Sequence, residues 1–300
     1  MRRFWIYQKE RFPVFANGAL ILAFSSCAVC FSALLRGAGA FPVWRSFVVA
    51  FASSFISFFH LRVADEFKDF DEDSRFRPYR PVPRGLVKLK ELAWLGIAGG
   101  AAQAALAWWL DARVMPWLLV TWIYFALMSR EFFCRRWLKA HPFTYMWSHM
   151  FIMPLVDFYA TSCDWRVASD GPPKGLFLFV AMSYLNGFVI EIGRKLRAPA
   201  DEEHGVETYT ALWGRKRAVA LWLGVMAATG VAAVAAARQL GFVAPAACAL
   251  ALLFCGAALW SARFLRSPAN GKIFEAFAGA WTLCLYLMLG AAPMLRRIFS

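Results

Sequence analysis

Residues 65–85 read DEFKDFDEDSRFRPYRPVPRG and follow directly on an apolar run. Six carboxylates (Asp65, Glu66, Asp69, Asp71, Glu72 and Asp73) stand in nine residues, and Arg75, Arg77, Arg80 and Arg84 come after them. An ionised group at the centre of a membrane helix costs roughly 2.5–3.5 kcal/mol on insertion scales, so an acidic cluster at the mouth of a hydrophobic helix marks a functional site. At about 100° per residue, Glu66, Asp69 and Asp73 would lie within roughly 60° of one another on one helical face. Three carboxylates so close repel one another unless a cation sits between them. Oxygen-only donors suit a hard metal, Mg²⁺ above all, which takes one or two carboxylates plus substrate phosphates. Glu66, Asp69 and Asp73 are therefore expected to hold Mg²⁺, with Arg77, Arg80 and Arg84 meeting phosphate oxygens that the metal leaves free. The competing reading is a solvated loop whose acids and bases pair internally.

The rest of the chain places this loop at a membrane. Of 300 residues, 60% are hydrophobic and only 17% charged, and the mean hydropathy is +0.50. Windows of about twenty apolar residues fall near 17–36, 43–62, 90–110, 114–134, 143–162, 174–192, 217–237, 241–263 and 273–293. They predict an all-α integral membrane protein: a bundle of about nine transmembrane helices around a central cavity, in a single domain over residues 1–300. If the N-terminus is cytoplasmic, 25 of the 33 Lys and Arg residues fall on the cytoplasmic side and 8 on the other. This positive-inside bias accounts for the net charge of +14 and argues against nucleic acid as a partner, because the bases track membrane sidedness and form no single basic face. It predicts a multi-pass protein of a bacterial-type inner membrane. The segment MRRFWIYQKERFPVF is too polar to be a cleaved signal and reads as a basic, aromatic stretch along the membrane surface. Among the seven cysteines only Cys163 is expected in an external loop, so no disulfide framework is predicted.

A second charged loop, EIGRKLRAPADEEHGVETYTALWGRKRA (191–218), emerges after the sixth window, on the same side as the first. Pro78, Pro81 and Pro83 must end the helix carrying the acids. His149 and Asp157 lie eight residues apart in the fifth window; they face the cavity or, more simply, hydrogen-bond between helices. Tyr184 and Asn186 are further residues for the cavity wall or the packing.

The first loop carries a longer pattern than charge alone. Asp65-Glu66-x-x-Asp69-x-x-x-Asp73, then Arg77-Pro78-x-Arg80-Pro81 and Gly85, resembles the first signature of the UbiA superfamily of intramembrane prenyltransferases, N-D-x-x-D-x-x-x-D followed by K/R-P-x-R-P and a glycine. Asp65 stands where that family has Asn, and Glu66 where it has Asp; both keep an oxygen ligand. The second loop is similar to the family's D-x-x-D-x-x-x-D-x-x-x-G-x-x-T when Gly205 and Thr208 are the anchors. Asp201 then falls on the last acid, while Arg194 and Arg197 fall on the earlier two. Arginine cannot bind Mg²⁺ but can clamp a diphosphate, so either Glu191, Asp201 or Glu202 holds the second metal or guanidinium groups replace it. Lys195 adds to that basic set. The family also has a basic residue in the loop SREFFCRRWLKAHPF (129–143) that helps bind the diphosphate, a role open to Arg135, Arg136 or Lys139; Glu131 and Arg130 are expected to pair with each other.

The resemblance implies a prenyltransferase: a prenyl diphosphate donor, Mg²⁺, ionisation of the C–O bond to an allylic cation, and capture by a small hydrophobic or aromatic acceptor within membrane lipids. Glu66, Asp69, Asp73 and Asp201 would be its catalytic acids, and Asp65 would join the basic residues around the diphosphate. A phospho-sugar or lipid alcohol acceptor is the alternative within the superfamily. A transporter would place its ionisable groups nearer mid-membrane and break its helices there.

Overall fold

The computed structural model describes residues 2–203, 205–267 and 269–300, and among these every regular element is helical. In chain order they are α1 (Arg2–Arg11), α2 (Val14–Leu35), α3 (Trp44–Lys68), α4 (Phe70–Phe76), α5 (Leu89–Leu110), α6 (Met115–Ser129), α7 (Arg135–Ala140), α8 (Pro142–Met150), α9 (Ile152–Ala168), α10 (Leu176–Arg194), α11 (Tyr209–Trp213), α12 (Arg215–Gln239), α13 (Val243–Arg266), α14 (Lys272–Leu289) and α15 (Ala291–Phe299). The protein is an all-helical, multi-pass membrane bundle.

Seven described segments are long and apolar enough to cross a membrane: Val14–Leu35, Trp44–Lys68, Ala112–Ser129, Leu176–Arg194, Arg215–Gln239, Val243–Arg266 and Lys272–Phe299. The expected count of nine is not confirmed on that measure. Of the two segments left over, α5 has the length, but Gln103 and the three Gly and three Trp residues of the helix dilute its hydropathy. The other, 143–162, is not one helix but two, α8 and α9, divided at Phe151. Pro154 explains the division: it lacks an N–H, and its ring conflicts with the carbonyl four residues back, at Met150. Because α9 runs on to Ala168, Cys163 is fully buried inside it, which corrects its expected place in an external loop.

Successive helices pack side by side. The order α2, α3, α5, α6, α9, α10, α12, α13, α14 closes into a ring because α14 returns to α2. Lipid gives helices no hydrophobic drive to associate, so close packing and buried polar ties do the work. Small residues supply the first: Ala218, Ala233, Ala236 and Ala237 of α12 are buried, and a Cβ on Gly193 of α10 would meet Ala278, the Phe274 carbonyl and Trp222 at 3.0–3.1 Å. Polar ties supply the second. Asp164 of α9 takes Ser32 at 2.7 Å and Arg36 at 2.7 Å from the α2 end. Asp157 accepts from the Tyr286 hydroxyl of α14, and Gln103 of α5 donates to the Ser53 carbonyl of α3 and accepts from Trp122 of α6. The interhelical role weighed for Asp157 is thus the contact it makes; His149 instead holds the Tyr145 carbonyl of its own helix. Where α2, α10 and α14 meet, Phe31 stacks on Phe179 with centroids 4.7 Å apart, and Tyr286 lies edge-on to Phe179. An apolar groove of about 450 Å³ opens between α9 and α10, lined by Phe151, Pro154, Phe158, Leu176, Val180 and Tyr184 among others.

Candidate functional site: the charged mouth of the bundle

The acidic stretch is not a single helix. α3 stops at Lys68, Asp69 takes φ −98° and ψ 7°, and α4 resumes for seven residues. Pro78 then disfavours helical geometry at Arg77, which sits at φ −136° and ψ 51° and ends α4. The interruption changes which acids share a face. Glu66, 2% exposed, turns away to accept from Arg11 Nε at 2.5 Å. Asp73, 1% exposed, holds Arg77 Nη2 at 2.7 Å and Arg80 Nη1 at 2.6 Å. Asp69 is half-buried, and no hydrogen bond or ion pair to its carboxylate is formed among the described residues. Burial pushes the Asp69 carboxyl above its ordinary range, and the carboxylates of Asp65, Asp73 and Glu72 add to that against the pull of Lys68. Of the expected set, Glu66 is thus engaged by Arg11 and Asp73 by Arg77 and Arg80, which leaves Asp69 unpaired; Asp65, one turn before it, lies 3.5 Å from Arg62 and 3.9 Å from Lys68. Arg84 is also turned outward, to Glu10 at 2.8 Å and the Tyr79 carbonyl.

The loop after α6 closes over the same acids. Lys139 pairs with Glu72 and holds its carboxyl below the usual range. Arg135 donates to the Lys68 carbonyl at 3.4 Å, while Arg136 is exposed without an ion pair among the described residues. Glu131 does not pair with Arg130 as expected. It is 2% exposed, lies 3.4 Å from Arg135 Nε and 4.0 Å from Lys68 Nζ, and accepts from the Tyr145 hydroxyl at 3.5 Å. Glu131, Phe132 and Phe133 all have positive φ, 48°, 51° and 60°, a run that non-glycine residues adopt only under constraint. Lys68 completes the group with a 2.6 Å bond to the Tyr145 hydroxyl. Lys68, Tyr145 and Arg11 went unnoticed in the sequence; Lys68 alone carried a signal, as a base inside a run of acids.

The second charged loop arrives from the opposite side of the mouth. Gly205, at φ +77°, lies so close to Phe76 that a Cβ would come within 2.6 Å of its ring, and the Tyr79 hydroxyl donates to Glu203 at 3.4 Å. The two charged loops thus meet, in keeping with the common face expected from their placement after the second and sixth windows. Glu191 is taken by Arg194 Nε at 2.6 Å and Lys195 Nζ at 2.8 Å. Glu202 is held by the hydroxyls of Thr208 and Thr210 at 2.7–2.8 Å, and Thr208 caps α11 by accepting from the Ala211 N–H. Asp201 is exposed and accepts from the Gly271 N–H at 3.4 Å. Glu191, Asp201, Glu202 and Glu203 therefore each have a partner, and no second carboxylate cluster forms among the described residues. Arg197 is anchored through its backbone N–H to Thr210 at 3.1 Å, and its guanidinium makes no ion pair among the described residues.

Among the described residues no three His, Cys, Asp or Glu side chains are close enough to hold a metal as they stand. The donor chemistry nevertheless fits a hard cation. Asp69 lacks any partner of its own, carries the repulsion of three other acids, and offers only oxygen, the donor that Mg²⁺ takes. Asp69 is the acid whose carboxylate is free for it, with Asp65 and Asp73 beside it in their contacts with Arg62, Lys68, Arg77 and Arg80; Glu191 and Asp201 make the contacts given above.

This architecture recurs in solved structures. One, an apo structure of a UbiA homologue from Aeropyrum pernix K1, superposes with a TM-score of 0.68 at 18% identity, over 93% of this chain and 97% of that one. Another, described for the biosynthesis of digeranylgeranylglyceryl phosphate synthase in membranes, gives 0.61 at 14% identity, over the whole of both chains. No curated protein matches the chain by sequence. The sequence pattern of the UbiA prenyltransferase family matches residues 22–289, which contain both charged loops and every helix from α3 to α14. Pattern, fold and the meeting of the two loops agree: this chain belongs to the UbiA prenyltransferase family, whose members generally use Mg²⁺ to bind diphosphate.

Proposed function

We propose that this chain transfers a prenyl group from a prenyl diphosphate to a small hydrophobic or aromatic acceptor within the membrane. The observation that carries the reading is Asp69, an unpaired acid among acids, beside the Asp73–Arg77–Arg80 cluster at a mouth where the second charged loop meets the first. Asp65, Asp69 and Asp73 would hold Mg²⁺, which when bound supplies positive charge to the departing diphosphate. Arg194 and Arg197 clamp the diphosphate from the other loop, with Arg77, Arg80 and the bases of the 129–143 loop within the same mouth. Their preorganised charge favours breaking the allylic C–O bond, whose electron pair leaves with the diphosphate. The apolar, aromatic helices below keep water from the resulting cation, and the acceptor captures it and gives up a proton. This reading puts the mouth and the N-terminus on the cytoplasmic side of the membrane, which the lysine and arginine bias supports.

Mass spectrometry of membrane lipids from cells with the chain, without it, and with Asp69→Asn tests the reading. A prenylated product should appear with the wild-type chain alone. A lipid profile identical in all three would overturn the assignment.

A further inference from the structure

The geometry points to α1 as a strut that holds the first charged loop in shape, with Glu66 serving as its anchor and not as a metal ligand. The inference rests on the reading above that Asp65, Asp69 and Asp73 bind the cation. α1 lies wholly outside the family-matched residues 22–289, yet it is fixed to the acidic loop along its length. Arg3 reaches Glu91 at the start of α5 at 2.5 Å, Glu10 reaches Arg84 in the proline-rich turn at 2.8 Å, and Arg11 reaches Glu66 at the end of α3 at 2.5 Å. Arg3, Tyr7, Glu10 and Arg11 follow the spacing of one helical face. Between the ion pairs Tyr7 is 3% exposed, packed with Val63, Val82, Val87 and Leu92, which come from α3, the turn and α5. The contact therefore closes the turn from both of its ends and its middle.

The Arg11–Glu66 pair is the buried member, with side chains 11% and 1% exposed. A cation at Glu66 would have to displace a guanidinium already in contact, and stranding a buried charge is costly. The two departures from the family signature then have one explanation. Glutamate at position 66 carries its carboxylate one methylene further, to Arg11, and aspartate at position 65, 3.5 Å from Arg62 and 3.9 Å from Lys68, keeps an acid beside Asp69.

Two variants in the full chain, purified in lipid nanodiscs, decide the matter. Arg11→Met strands Glu66 and should speed tryptic cleavage at Arg75–Arg84 by about a hundredfold, as the loss of one partner of a buried pair implies. It should also raise the Mg²⁺ concentration needed for half-maximal transfer while leaving kcat at saturating Mg²⁺ near wild type. Arg11→Met/Glu66→Met removes both charges, which is close to neutral for such pairs; cleavage should return to within about tenfold of wild type. Mn²⁺ binding, read by electron paramagnetic resonance without any turnover, should stay within about threefold of wild type in the double variant, a difference under 1 kcal/mol. It should be lost in Asp69→Asn. Loss of Mn²⁺ binding in the double variant would make Glu66 a ligand, and unchanged cleavage in Arg11→Met would remove the strut; either overturns the proposal. A wild-type protein that binds no Mn²⁺ would contradict the metal reading itself, and the cleavage comparison would still decide the strut.

Discussion

Asp73→Asn removes one charge and keeps the shape of the side chain, and the structure says what that charge holds. Its two oxygens meet Arg77 and Arg80 at 2.7 and 2.6 Å, with the aspartate side chain 2% exposed and the arginines 16% and 19%. Removing one partner of a buried pair costs about 3–5 kcal/mol; because each guanidinium keeps some contact with water, about 3 kcal/mol is the fitting figure. At 1.4 kcal/mol per factor of ten, the open form of the loop should become about a hundredfold more populated. Trypsin reads that population directly when opening and closing are fast relative to cleavage, and Arg75 and Arg84, the two arginines of the segment not followed by proline, offer cut sites. In nanodiscs, then, cleavage within 75–84 should rise about a hundredfold, with transfer activity lost in step. A cleavage rate within about threefold of wild type, under 1 kcal/mol, would refute the view that Asp73 organises this loop.

Asp69→Asn should behave in the opposite way towards stability. Burial and the acids Asp65, Asp73 and Glu72 hold Asp69 above its unfolded value, so its ionisation opposes folding, a cost absent below the unfolded pKa and fully present above the folded one. At mildly alkaline pH with chelator, Asp69→Asn should raise Tm, by about 2–4 °C per kcal/mol of relieved repulsion; with saturating Mg²⁺ the order should reverse, and an equal Tm in both conditions would contradict the cation site. Arg194→Ala should lower kcat/KM at least tenfold, since a charge-assisted bond to phosphate is worth about 1.5–3 kcal/mol, and Arg194→Lys should recover only part because it loses the bidentate fork. Glu191 keeps Lys195 at 2.8 Å in either variant, so normal turnover in Arg194→Ala would leave these bases a topological role alone. For sidedness, Ser74→Cys and Ala200→Cys should resist a membrane-impermeant thiol reagent in intact cells while Asp170→Cys reacts; labelling at Ser74→Cys from outside would invert the topology.

Much of this was legible in the sequence, and the exceptions have physical causes. Hydropathy windows overlap every helix of the ring, and the placement of the charged loops after the second and sixth windows put them on one face, where Gly205 and Phe76 bring them together. The pairing of Glu191 with Arg194 and Lys195 was open to view as i,i+3 and i,i+4 neighbours. The single face projected for Glu66, Asp69 and Asp73 assumed one continuous helix, whereas α3 ends at Lys68 and Glu66 contacts Arg11. Arg11 could not be read at all, since its contact with Glu66 crosses 55 positions. Glu131 was missed because three consecutive left-handed residues turn it away from Arg130, a conformation that no propensity of Glu-Phe-Phe foretells. The break at Phe151 was available from Pro154 but hidden by the unbroken apolar run around it.

The central claim is that the charged mouth ionises a prenyl diphosphate. Purified protein in nanodiscs, given a panel of prenyl diphosphates of different chain length, should release diphosphate in a reaction that requires Mg²⁺, stops with chelator, and is lost in Asp69→Asn although that variant remains folded. No release from any donor by folded wild-type protein, or release that Asp69→Asn leaves unchanged, would contradict the account.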